Sequence, residues 1–185
     1  MTESDSFIDH AYRLLTGPPI ASDAAAATLS RSPGVYAWWA FPTVLPEIPG
    51  MTNEHDHRLR LLYVGRAANL RGRILKTHLR RSGNSELRRI LAGLLMPSEG
   101  YRTTWKDGVV LVPEDETRLT SWMRRSLWLT WAEDPYPDEV EPDLVDRLEP
   151  SLNLHGVADS EIRARVAAAK DRYDASASPP GDLPR

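Results

Sequence analysis

The sequence predicts a single mixed domain of α/β (α+β) class, and three observations carry that reading. The chain has 185 residues, 41% of them hydrophobic, which is enough to close one compact core and too little for two. Runs with apolar residues at helical spacing alternate with short β-favouring runs bounded by turn residues. No internal repeat breaks this into smaller units.

The first element is a helix over Phe7–Leu15, with Phe7, Ile8, Ala11, Leu14 and Leu15 at helical spacing and Gly17-Pro18-Pro19 as the stop. A second helix runs from Ser22, a candidate N-cap, through the alanine run to Leu29, and Pro33-Gly34 ends it. Val35–Phe41 and Leu61–Val64 are aromatic and β-branched runs that read as strands. The stretch between them holds Pro42, Pro46, Pro49 and Gly50 and is too long for a tight hairpin. After Gly65 the pattern turns helical through Leu70, Ile74 and Leu75, and again from Ser85 to Leu95. Tyr101–Trp105 and Val109–Val112 flank Lys106-Asp107-Gly108 as a hairpin with an Asp-Gly turn. A helix over Glu116–Arg125, a strand over Leu127–Trp131, a helix over Glu139–Leu148 and a last helix over Asp159–Tyr173 follow. The closing ASASPPGDLPR lacks the apolar surface needed to order itself.

Composition narrows the function classes. With 23 Lys+Arg against 26 Asp+Glu the net charge is -3, so any basic surface must be local. The chain has no cysteine, which excludes disulfides, thiolate nucleophiles and Cys-based zinc sites. The acidic MTESDSF start lacks a signal-peptide core, and the apolar stretch Gly34–Leu45 is interrupted by Pro42, far short of the ~18 residues of a membrane span. The expectation is a soluble cytoplasmic protein without membrane contact.

Charge is segregated. Between Arg58 and Arg89 lie Arg60, Arg66, Arg71, Arg73, Lys76, Arg80, Arg81 and Arg88, with Glu86 as the only acid. From Glu133 to Glu149 the pattern inverts, with Arg147 as the only base. The basic block is a candidate phosphate-binding surface, although a charge run taken alone is more often a solvated helix face.

Gly34-Val35-Tyr36 opens the first strand, and Tyr63-Val64-Gly65 closes the second. Arg66 to Arg73 follows, with Asn69, Leu70 and Arg73 in an Asn-Leu-x-x-Arg pattern. Further on, Glu141 has Leu144 and Val145 at three and four positions, then Pro150 and Asn153 at nine and twelve. In these motifs and their order the chain resembles the GIY-YIG nuclease family. The resemblance implies a small antiparallel β-sheet flanked by helices, GIY-YIG endonuclease-like. It divides the chain into a helical extension (1–31), the nuclease-like domain (32–158), a C-terminal helix (159–173) and a disordered tail (174–185).

By that resemblance Tyr63, supported by Tyr36, orients or deprotonates the attacking water. Arg73 grips the scissile phosphate, and Glu141 holds one Mg²⁺ or Mn²⁺. Arg66, Asn69, Arg71, Lys76 and Asn153 are substrate-binding candidates, Asn153 holding either substrate or a loop. The chemistry is coherent: hydrolysis of a phosphodiester needs an activated water and cations on the developing charge. A phenol of pKa about 10 serves as base only where cations lower it. An arginine gives two hydrogen bonds and keeps its proton.

Three features depart from the family pattern. Pro142 follows Glu141, so the helix either begins there or loses a hydrogen bond. Many relatives carry His or Tyr four residues after the helix Arg, whereas here that position is Thr77 and the imidazole comes one later, at His78, which by the resemblance joins the catalytic candidates. On an α-helix this shift turns the side chain by about 100°. The long inter-strand stretch also carries Glu54-His55-Asp56-His57, readable as loop polarity or as a metal site.

The expected function is a metal-dependent endonuclease acting on duplex or branched DNA, with a protein partner or homodimer as a possible source of specificity. Its rival is a catalytically inactive module of the same fold that binds nucleic acid. A protein-interaction domain is a third reading, against which the six tryptophans count as core.

Overall fold

The computed structural model describes residues 3–158 and 160–179. Its centre is an antiparallel four-stranded sheet in the order β1-β6-β2-β3. The strands are β1 (Ile20–Ala21), β2 (Gly34–Ala40), β3 (Arg60–Ala67) and β6 (Leu127–Glu133), and β4 (Thr103–Trp105) with β5 (Val109–Leu111) form a separate hairpin. The α+β architecture with a small antiparallel sheet is therefore as the sequence predicts. Strand β1 was not legible, because two residues carry no periodicity.

Helices cover both faces of the sheet. On one face α1 (Glu3–Leu15) and α5 (Pro137–Leu148) bury Ala11, Leu15, Leu144 and Leu148 against Val35, Ala37, Trp39 and Val64. On the other, α3 (Glu86–Glu99), α4 (Pro113–Ser126), α6 (Glu161–Asp174) and a π-helix (Gly72–His78) pack around Tyr36, Trp38 and Leu62. The short α2 (Ser22–Thr28) lies against α4. Pairing along β2 and β3 runs Tyr36↔Gly65 and Trp38↔Tyr63, then jumps to Trp39↔Leu61, leaving Leu62 as the extra residue of a β-bulge. The bulge keeps Tyr63 on the face of Tyr36 while Leu61 returns to the face of Trp39.

Several expectations change. Ser22 is not an N-cap: α2 starts after Ala21, and the buried Ser22 hydroxyl donates to the carbonyls of Met123 and Arg124 at the end of α4. Only Trp38 and Trp39 of the six tryptophans are fully buried; the rest are half-buried. Trp39 Nε1 donates to Thr130 Oγ1 at 2.9 Å, and Thr130 donates to Leu15 O at 2.6 Å, which fastens α1 to the sheet. Helix α6 packs so closely on α3 that a Cβ on Gly93 would lie 1.9 Å from Ala169 O. It runs to Asp174, and Ser176 bonds Thr103 Oγ1 at 2.7 Å, so the segment expected to open the disordered tail has partners; residues 180–185 lie outside the described residues. Helix α5 begins at Pro137, so Pro142 stands inside it and removes one backbone donor where the start at Glu141 would have avoided the loss. Among the described residues no helix is long and apolar enough to cross a membrane.

Candidate active site

Tyr36 and Tyr63 are placed by neighbouring strands over one glycine. Gly65 pairs with Tyr36 across the sheet, and a Cβ there would lie 2.6 Å from Tyr36 Oη and 2.9 Å from Tyr63 Cε1. Both rings therefore cross the Gly65 backbone, which no side chain could occupy. Tyr36 is fully buried and Tyr63 is 7% exposed.

The helical segment after β3 starts with Asn69, whose Oδ1 accepts the Gly72 N–H at 2.7 Å, so this side chain caps the turn. The chain then enters the π-helix. Leu79 N–H reaches back five residues to Ile74 O at 2.9 Å, and residues five apart stand one turn apart in such a helix. His78 thereby comes onto the side of Arg73 despite its offset of five. The 100° displacement that α-helical geometry would impose does not occur, and the wide turn is the physical reason.

Tyr36 Oη is where these groups meet. His78 Nε2 lies 2.6 Å from it, and Arg73 Nε donates to it at 3.4 Å. With Arg73 donating to this oxygen, the phenol hydrogen is assigned to His78 Nε2. His78 Nδ1 then donates to Ser85 Oγ at 2.7 Å, and Ser85 also caps α3 by accepting Arg88 N–H at 3.1 Å. Burial, reinforced by the Arg73 and Arg88 charges, holds the His78 pKa well below its ordinary value, so the ring is neutral. Burial pushes Tyr36 up to about 12, against the pull of Arg73, and pushes Tyr63 up further. Both are phenols at neutral pH in the free protein.

Arg73 also donates Nη1–H to Asn84 O at 3.2 Å, which fixes its reach. Glu141 stands on the second turn of α5, where Arg66 Nη1 donates to its Oε2 at 3.0 Å while Arg66 Nε bonds Asp138 at 2.6 Å. The Glu141 charge is felt by both tyrosines. Tyr36, His78 and Arg73 are thus joined by hydrogen bonds, Tyr63 lies beside Tyr36 over Gly65, and Glu141 acts on both tyrosines through its charge. Residues 34–172 match the family model of the GIY-YIG catalytic domain.

The chain belongs to the GIY-YIG family. No curated protein and no solved structure matches it. Membership gives the chain a nuclease-type domain.

Not every residue of the GIY-YIG pattern joins this group. Both ends of the Asn153 amide are used on β3, with Nδ2 donating to Val64 O at 2.9 Å and Oδ1 accepting Val64 N–H at 3.0 Å. Asn153 holds the strand that carries Tyr63, which is the loop-holding rather than the substrate-holding option. Arg71 donates to Ala26 O at 2.5 Å and Leu29 O at 3.3 Å, so its guanidinium closes the end of α2. Lys76 and Arg66 are exposed.

The network behind His78 was not anticipated. Arg88 is fully buried, bonds His78 O at 3.0 Å, and pairs with Glu116 at 2.6 Å. Glu116 also accepts Ser82 N–H and O–H at 2.8 and 2.6 Å. Buried charge survives only when paired and hydrogen-bonded, and this pair ties α4 to the end of the π-helix. Glu86 was missed as well: on the first turn of α3, its charge acts on Tyr63 and Arg73.

As for a metal, no cluster of three His, Cys, Asp or Glu side chains exists among the described residues. The Glu54–His57 stretch is a turn in which Asn53 Oδ1 accepts the His55 and Asp56 N–H groups, and Asp56 pairs with Arg58. Glu141 remains. One carboxylate suits a hard cation that keeps its water and takes further oxygens from substrate, and only Oε2 of Glu141 is held by Arg66.

Proposed function

We propose that this chain is a metal-dependent endonuclease that hydrolyses phosphodiester bonds in DNA. The observation that carries the reading is the Tyr36 hydroxyl, hydrogen-bonded to neutral His78 at 2.6 Å and approached by Arg73, beside a second tyrosine and within the field of the Glu141 charge. Such a set supplies what phosphoryl transfer needs: a group to orient water, a fixed cation for the equatorial oxygens, and a carboxylate for a metal.

In this reading Tyr63, whose hydroxyl has no protein partner among the described residues, orients the attacking water. Tyr36 and His78 form a relay beside it. His78 can accept a proton through Nε2 because it is neutral, and Ser85 steadies the resulting charge from Nδ1. Arg73 turns its guanidinium to the scissile phosphate, and Arg66 exchanges its carboxylate partners for a neighbouring phosphate. Mg²⁺ or Mn²⁺ held by Glu141 would put positive charge on the phosphoryl and leaving oxygens when substrate is bound. Selection of the substrate rests on the region around β4, β5 and α4, or on a protein partner or second copy.

The second reading, a module of the same fold that binds without cutting, is favoured by one observation: Arg66 already neutralises Glu141. Supercoiled plasmid separates the two. The nuclease reading expects nicking by the wild type with Mg²⁺ or Mn²⁺ and its loss in Glu141→Ala. Binding by the wild type with no nicking under either metal selects the second.

A further inference from the structure

Most of the described arginines have a carboxylate or carbonyl partner, and of the five that have none (Arg31, Arg80, Arg81, Arg89 and Arg125) three line a single cleft. A cleft of about 730 Å³ separates the end of the π-helix and the turn Ser82–Asn84 from the β4–β5 hairpin. Arg80, Arg81, Arg89 and Lys106 line it. None of these four makes a side-chain hydrogen bond or ion pair among the described residues, and Arg89 Nε is buried without an acceptor. Of the three acids on the same wall, Glu116 is consumed by Arg88 and Ser82, and Asp174 by Lys170 at 2.6 Å. Asp107, in the hairpin turn, faces four cations alone. Most of the described arginines elsewhere are matched, as in Arg58 with Asp56, Arg118 with Asp115 and Arg147 with Asp9, and the unmatched Arg31 and Arg125 do not line the cleft.

The walls are held in place. Ser82 accepts Leu111 N–H from β5 at 3.0 Å and donates to Glu116 of α4 at 2.6 Å, so hairpin, turn and helix are joined at one hydroxyl. The cleft also adjoins the catalytic position, because Asn84 lines it and its carbonyl holds Arg73. Uncompensated positive charge in a preformed groove calls for a repeating anion, and a groove that leads to a phosphate-gripping arginine calls for the same chain of phosphates.

We propose that this cleft binds the sugar–phosphate backbone of the nucleic acid on one side of the bond to be cut, with Arg80, Arg81, Arg89 and Lys106 each facing a phosphate. The proposal rests on the nucleic-acid reading of the site but not on cutting. Lys106 makes the hairpin a clamp on the strand, which assigns a substrate-holding role to an element the catalytic motifs do not include.

The test is binding of short labelled DNA, duplex and single-stranded, in EDTA over a series of salt concentrations. The triple variant Arg81→Gln, Arg89→Gln, Lys106→Gln is compared with wild type and with Arg147→Gln, a paired cation on the opposite face. Each lost phosphate contact lowers the slope of log K against log salt by about 0.9 on duplex, so the triple variant should lose about 2 to 3 and bind about 10- to 100-fold more weakly. Arg147→Gln should bind as wild type. Should the triple variant melt early, Lys106→Gln alone, at an exposed turn, should still lose about 0.9. A wild-type slope in the triple variant, or no DNA binding by the wild type, overturns the proposal. Displacement of DNA by inorganic pyrophosphate as readily as by unlabelled DNA overturns it too, in favour of a small anion. Cleft-dependent binding without nicking would leave this inference standing while the nuclease reading falls.

Discussion

Gly65→Ala adds one methyl group at the crossing of the two tyrosines. The new Cβ would lie 2.6 Å from Tyr36 Oη, 2.8 Å from Tyr36 Cζ and 2.9 Å from Tyr63 Cε1, all inside the closest real carbon contacts. The glycine φ is not in the left-handed region, so the backbone tolerates alanine and the conflict is purely spatial. Overpacking of a buried site costs about 1–3 kcal/mol, while loss of glycine freedom in the unfolded chain returns about 0.4–1 kcal/mol. The net loss is roughly 0–2.6 kcal/mol, or up to about 10 °C in Tm for a chain of this size. Activity should suffer more. Both hydroxyls must shift by several tenths of an ångström, and misplacement near 1 Å costs about 10²-fold. Thermal melts followed by tryptophan fluorescence and plasmid nicking measure the two effects. An alanine variant that melts and cuts as wild type does would refute the idea that this glycine sets the tyrosines' positions.

The two tyrosines should separate by phenotype. Tyr36→Phe strands the buried His78 Nε2, costing about 1–3 kcal/mol of stability, whereas Tyr63→Phe should shift Tm little, and both should lower the nicking rate by about 10²–10⁴. Because the folded-state pKa of His78 is depressed, the unfolded chain takes up the proton first as pH falls. Its contribution is therefore present above about pH 6.5 and is lost below it, with a slope of up to about 1.4 kcal/mol per pH unit. Melts of wild type and His78→Asn between pH 7 and 5 should show the steeper fall in the wild type only. Deleting Thr77 should convert the π-helix to an α-helix with the histidine at the ordinary offset of four; retained folding and nicking is the expected result, and an unfolded product by circular dichroism would contradict it.

The readable part of this protein is the part carried by short-range pattern. Val35–Phe41 and Leu61–Val64 announced β2 and β3, and the motif residues Tyr36 and Tyr63 lie side by side over Gly65, with Arg73 bonded to Tyr36 and Glu141 bonded to Arg66. What stayed hidden depends on long-range pairing or on register. The π-helix adds one residue to a turn, and a hydrophobic pattern over seven residues (Gly72–His78) does not distinguish that from an α-helix, so His78 looked displaced. Arg88 looked like part of a solvated basic run because nothing local reveals that Glu116, on another helix, would pair with it in the core. Asn153 was legible as a functional amide, but its partner, the Val64 backbone, lies 89 positions away. Lys106 fell outside the basic block, and only the hairpin's placement beside Arg81 and Arg89 joins it to that surface.

The central claim is that Tyr36, Tyr63, Arg73, His78 and Glu141 serve a single phosphate. A crystal structure of the Glu141→Ala variant bound to duplex or branched DNA tests it most directly. One backbone phosphate should lie within hydrogen-bonding distance of the Arg73 guanidinium and face the Tyr63 hydroxyl, with the strand running on toward Asn84. A complex whose DNA lies on another surface, with no phosphate near Arg73, would contradict it.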